Sequence, residues 1–89
     1  MKVTRSFEIK NKLGLHARPA AKLADLSNRY KSEIFFERNG HAEDAKSILS
    51  ILTLACPMGS ALTIRAEGAD ADEAVEALGN LIKSKFGEE

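Results

Sequence analysis

His16 and Arg18 stand two residues apart in the stretch Leu13-Gly14-Leu15-His16-Ala17-Arg18-Pro19-Ala20. An imidazole is a nucleophile, and a guanidinium offers a planar fork of donors suited to phosphate or carboxylate. The neighbouring residues predict how the pair is held. Pro19 is tolerated in the first turn of a helix, where its missing N–H would have no intrahelical partner. It also pushes Arg18 away from helical dihedrals, so a helix is expected to begin between His16 and Pro19. Gly14 can adopt positive φ at no steric cost and turn the chain sharply into that helix. A helix N-terminus presents unpaired N–H groups and the positive pole of the macrodipole, which together make an anion site. The chemistry these residues suggest is a nucleophile set in an anion site.

The elements on either side must hold it. Val3, Phe7 and Ile9 alternate with Thr4, Ser6 and Glu8, which predicts a half-buried strand over residues 3–9, with Arg5 the exception on the apolar face. From Ala17 to about Asn28, Ala20, Leu23, Ala24 and Leu26 or Ser27 follow helical spacing. Residues 32–37 carry Ile34, Phe35 and Phe36. Asn39-Gly40 after them is a hairpin signal, since a type I′ turn needs positive φ at both central residues. The return strand near His41 to Asp44 is short and polar, as an edge strand would be, and His41 is assigned no function. Residues 47–54 are dense in large apolar side chains. Ser47 directly before them is a good N-cap, which favours a short helix. So short a helix cannot bury both its faces, and one apolar face is expected to stay open to a partner. Leu62, Ile64 and Ala66 alternate into a fourth strand. Asp70 with Glu73 resembles a capping box, and Ala71, Ala74, Val75, Leu78, Leu81 and Ile82 form one helical stripe. Gly79 inside that stripe weakens it by about 1 kcal/mol relative to alanine. The order β-α-β-β-α-β-α predicts an α+β fold, a four-stranded antiparallel sheet with three helices on one face.

Composition narrows the classes. The chain has 89 residues, expected to form a single domain over 1–89. Thirteen basic and thirteen acidic residues cancel, whereas a nucleic-acid binder of this size is normally basic. A generic anion- or nucleic-acid-binding module would also need aromatic pairs on the open sheet or a basic stripe, and neither is evident. The single cysteine, Cys56, lies in an apolar run and is expected to be packed rather than reactive. No run approaches membrane-spanning length and the first residues lack an apolar signal region, so a cytoplasmic location is expected. There is no glycine-rich nucleotide loop, no zinc-spaced cluster and no serine triad, and neither cofactor nor metal is implied. If phosphate reaches His16, another protein must bring it and another must take it. That is the logic of a carrier.

Gly14-Leu15-His16-Ala17-Arg18-Pro19-Ala20 resembles the active-site motif of the histidine-containing phosphocarrier proteins, HPr, of the bacterial phosphotransferase system. The likeness runs along essentially the whole chain. Lys46-Ser47-Ile48-Leu49 is similar to the family's regulatory-serine segment, and Gly68-Ala69-Asp70 opens the last helix as in the family. The resemblance implies an open-faced β-sandwich and a phosphoryl relay, with no cofactor and no membrane insertion. His16 is then the residue phosphorylated on Nδ1, with enzyme I as donor and an enzyme IIA domain as acceptor. Arg18 is the second catalytic residue, and the Ala17 and Arg18 backbone N–H groups are further phosphate donors. Ser47 is a regulatory phosphorylation site for an HPr kinase/phosphorylase, and Leu15, Ala21, Leu49 and Leu52 are the candidate partner-binding residues of a monomer. The helix N-terminus disfavours imidazolium and then stabilises the phosphoryl dianion. Two positions depart from the pattern. Ala45 stands where many members have a larger apolar residue, and Ser50 where glycine is frequent. The segments 8–13 and 84–89 look like the nitrogen-branch version of the protein, which acts mainly by binding regulators.

Overall fold

Alternating and helical periodicities resolve into β1 (Lys2–Glu8), α1 (Ala17–Ser27), β2 (Glu33–Arg38), β3 (His41–Asp44), α2 (Ile48–Thr53), β4 (Ala61–Glu67) and α3 (Ala71–Lys83), closed by a 3-10 turn at Lys85–Gly87. This computed structural model describes residues 1–88. The sheet is wholly antiparallel in the order β1-β4-β2-β3. Phe7 lies opposite Leu62, and Phe36 opposite Ile64. Phe7, Ile34, Phe36, Leu62, Ile64 and Ala66 therefore share one face and are buried with the helices in a single cluster. Thr4, Ser6, Arg65 and Glu67 sit on the other face, exposed. The fold is the expected α+β arrangement.

Arg5 occupies a covered-face position but on an edge strand, so it reaches out over the rim. Its guanidinium lies 5.0 Å from the centre of the Phe7 ring and 3.2 Å from Glu76 of α3. A long cationic side chain can cover apolar surface in this way while its head stays in water. Asn39 and Gly40 take φ of 52° and 81°, as a two-residue I′ hairpin requires. On α3, Ala71, Ala74, Val75, Leu78 and Ile82 are buried. Each large side chain there contributes about 1.5–3 kcal/mol by leaving water.

Two expectations about α3 need correction. Asp70 sits at its N-cap position but makes no capping bond. Its carboxylate instead accepts the N–H groups of Lys31 and Ser32, each at 2.9 Å, and the Ser32 hydroxyl, tying the α1–β2 loop to the sheet's end. The Ser32 hydroxyl and these backbone donors hold its carboxyl below the usual range. Gly79 is a packing device and not merely a weak point. A Cβ there would lie 2.4 Å from Cζ of Phe7, so the ring rests on bare helix backbone. No helix among the described residues is long and apolar enough to cross a membrane.

Candidate functional site

The loop that delivers His16 continues the sheet. Ile9 N–H donates to Ser60 C=O at 2.9 Å, Gly59 N–H to Ile9 C=O at 2.7 Å, and Leu15 N–H to Cys56 C=O at 2.9 Å. Between them the chain turns, with Gly14 N–H donating to Asn11 C=O at 3.1 Å. Gly14 has φ of +66°, and a Cβ on it would lie 2.2 Å from the Cys56 carbonyl oxygen. Only glycine allows so close a crossing of the two backbones. Cys56 itself is buried beneath the crossing. Burial pushes its thiol up, more than the nearby Arg38 pulls it down, which suits packing and not nucleophilic work.

The turn sets His16 at the N-cap of α1 in extended conformation, with no side-chain capping bond. Its side chain is 35% exposed. Ala20 N–H is taken by His16 C=O at 3.0 Å, and Pro19 has none. The N–H groups of Ala17 and Arg18 lie in the first turn, where they have no intrahelical carbonyl to reach. No acidic residue lies in that turn. Arg18 is exposed and forms no ion pair among the described residues. His16, Arg18, Lys12, Leu13, Gly87 and Glu88 line one open depression.

Glu88 is the member that periodicity could not reveal. Phe86, beyond the α3 stripe, is buried at 1% exposure. The Lys22 ammonium of α1 donates to the Phe86 carbonyl at 2.6 Å. Lys85, Phe86 and Gly87 all have positive φ, a tight left-handed course that turns the chain back toward α1. Glu88 thereby accepts from His16 Nε2 at 2.9 Å and from Asn11 Nδ2 at 3.1 Å. Burial pushes the Glu88 carboxyl up, but the His16 and Asn11 hydrogen bonds, with the charges of His16 and Arg18, hold it below its ordinary value. The available signal was Phe86 itself, a lone aromatic in a polar tail, which is a natural anchor.

Of the candidate docking residues, Leu49 is 76% exposed, Leu52 and Ala21 are half-buried, and Ile48 beside Leu49 is exposed too. On the inner side of α2, Ile51 and Leu54 are buried. Leu15 requires correction. It is only 4% exposed, because the Leu15–Cys56 hydrogen bond turns its side chain into the core. The exposed leucine of this loop is Leu13, beside His16. Ser47 caps α2, its Oγ accepting Ser50 N–H at 3.2 Å. The neighbouring Lys46 ammonium is engaged by the Tyr30 carbonyl at 2.8 Å. His41 is exposed on the edge strand, paired with Glu43.

The family described as the PTS HPr component phosphorylation site matches residues 3–84. The phosphocarrier protein HPr of Cupriavidus necator is 46% identical over 84 residues, 94% of each chain. The phosphocarrier protein NPr of Shewanella violacea is 41% identical over 87 residues, 98% of this chain and 96% of its own. The crystal structure of HPr-C-His from Thermoanaerobacter tengcongensis superposes with a TM-score of 0.94 at 45% identity, covering 98% of both chains. With the site's geometry, these matches establish that the chain belongs to the HPr family of phosphocarrier proteins.

Proposed function

We propose that this chain carries a phosphoryl group on His16 Nδ1 between proteins of the phosphoenolpyruvate-dependent phosphotransferase system, as a cytoplasmic monomer. Enzyme I supplies the group and an enzyme IIA domain receives it. The observation that carries the reading is an imidazole at the open end of an eleven-residue helix, flanked by Arg18 and two free N–H groups. Such a helix end favours a phosphoryl dianion, and Arg18 neutralises charge on the phosphoryl group in transit. The exposed Leu13, Ile48 and Leu49, with Leu52, offer apolar surface for a partner. The test is a chase. Protein labelled from radioactive phosphoenolpyruvate by enzyme I should lose its label to added enzyme IIA. A protein that takes no label, or keeps it, contradicts the reading.

Arg18→Ala should slow labelling by about a hundredfold without preventing it, the usual loss for one positioned donor at a developing anion. Arg18→Lys should recover part of that, keeping charge without the fork. Stopped-flow quench kinetics with enzyme I read both.

Ser47 is proposed as a regulatory phosphorylation site. A phosphate there adds about −1.5 to −2 charges at neutral pH, next to the apolar face offered to enzyme I. Ser47→Asp should slow His16 phosphorylation at low salt while leaving the melting temperature equal or slightly raised, since an N-cap welcomes a carboxylate. Ser47→Ala should transfer nearly normally and lose about 1 kcal/mol of stability with its cap. Wild-type transfer by Ser47→Asp at low salt would leave Ser47 a cap and nothing more.

A second reading, a nitrogen-branch carrier acting mainly on regulators, is favoured by one observation. Glu88 and Asn11, from the two segments that resemble that branch, hydrogen-bond each other, and Glu88 in turn takes His16 Nε2. Parallel chases into sugar-type and nitrogen-type enzyme IIA separate the branches by which acceptor is faster.

A further inference from the structure

We propose that Glu88 is a positioning residue for His16: its carboxylate accepts the Nε2–H of the neutral ring, fixes the tautomer that leaves the Nδ1 lone pair free, and balances the ring's charge as the phosphoryl group arrives. This inference rests on the phosphocarrier reading above and adds to it a role for the chain's last turn.

The geometry is that of a built contact. Nε2 lies 2.9 Å from one Glu88 oxygen and 3.2 Å from the other. Neutral imidazole donates from one nitrogen and accepts at the other, so a carboxylate on one side decides which nitrogen keeps the lone pair. Nδ1 makes no capping bond to α1. With the proton held on Nε2, Nδ1 is the unprotonated nitrogen. The carboxylate is itself held. Asn11 is fully buried, and its Nδ2 donates to Glu88 at 3.1 Å and to the Gly14 carbonyl at 2.7 Å. The same amide thus fixes the loop carrying His16 and the group that orients it. Phe86 burial and the Lys22–Phe86 hydrogen bond anchor the tail on the other side. Three consecutive positive φ values, two of them at non-glycine residues, are a local cost that this anchoring offsets.

The step balances without a further reactant. The Nδ1 lone pair forms the N–P bond. The donor protein's bond to phosphorus breaks, and its electron pair leaves with the donor. The ring gains a positive charge, the proton stays on Nε2, and the adjacent carboxylate stabilises that charge as it develops, as the aspartate of a serine-protease triad does for its histidine.

The test pairs ring nitrogen NMR with transfer kinetics on the full chain. At mildly alkaline pH the wild-type His16 15N spectrum should report protonated Nε2 and bare Nδ1. Glu88→Ala should give a tautomer mixture and lower the maximal rate of labelling by enzyme I and phosphoenolpyruvate about tenfold, the lower end of what loss of a ring-orienting partner costs a ligating histidine. Its KM for enzyme I should be unchanged. Glu88→Gln, whose amide can accept from Nε2–H but can also donate to a bare Nε2 and carries no charge, should hold the tautomer less firmly than wild type and fall between the two in rate. Circular dichroism should register no unfolding, since the Phe86 and Lys22 anchors of the tail remain. A wild-type proton on Nδ1, or Glu88→Ala labelling as fast as wild type or faster, overturns the proposal. The spectrum needs no phosphoryl donor, so it judges Glu88 even if wild type took no label, which would refute the carrier reading alone.

Discussion

His16→Ala should accept no phosphoryl group from enzyme I and phosphoenolpyruvate, while its circular dichroism spectrum stays that of the wild type. The two halves of this expectation have separate reasons. Transfer is lost entirely because, among the described residues, no second imidazole lines the depression at the start of α1. His41, the other histidine, is on the edge strand β3 and paired with Glu43. The fold survives because His16 contributes little to it. The ring is partly exposed and caps nothing, and the part-buried Glu88 carboxylate it leaves keeps its bond from Asn11. Surface substitutions of this kind usually change stability by no more than about 0.5 kcal/mol. Radiolabel incorporation and a thermal melt, run on the same preparation, check both. A folded mutant that still labels fully would move the chemistry to another residue.

Gly14→Ala should be the most destabilising single-methyl change near the site. The added Cβ would meet the Cys56 carbonyl oxygen at 2.2 Å and Pro57 Cα at 2.9 Å, both of them backbone atoms. Neither can swing aside as a flexible side chain would. Relief requires separating the two segments, which breaks the Leu15–Cys56 hydrogen bond and shifts His16. The loss should be about 3 kcal/mol, the sum of left-handed strain and a clash that must be relieved by backbone movement. For a domain of this size that lowers the melting temperature by more than about 10 °C. Gly40→Ala is the internal control. It too replaces a positive-φ glycine, at +81°, but nothing lies within 4 Å of the new Cβ. Its cost should be the strain alone, about 1 kcal/mol. Equal losses at the two positions would mean that the Gly14 crossing opens freely and does not hold the site.

The parts of the molecule that could be read from the chain are those governed by local chemistry. The I′ turn at Asn39-Gly40, the Ser47 cap, the α3 stripe and the helix start at Ala17 each follow from a few neighbouring residues, and all four are found. What could not be read depends on residues far apart. Asp70 looks like a cap until Lys31 and Ser32 arrive from another loop and compete for its carboxylate. Gly79 looks like a defect until Phe7, seventy-two positions earlier, needs the room. Leu15 looks like a surface residue beside His16 until its N–H is pinned to Cys56. At the candidate site, the placing of His16 and Arg18 together at a helix start was legible because they lie two residues apart. Glu88 was not, because its arrival depends on where the tail turns after α3, and no periodicity specifies that.

The central claim is that His16 is the phosphoryl acceptor and that Nδ1 is its reactive atom. Phosphorus and ring-nitrogen NMR of protein labelled uniformly with 15N, recorded after treatment with enzyme I and phosphoenolpyruvate, tests it most directly. The account predicts one acid-labile phosphoramidate, with phosphorus coupled to Nδ1 of His16 and the proton retained on Nε2. Phosphorus coupled to Nε2, phosphate on His41 or on a hydroxyl, or no phosphoramidate at all would contradict it.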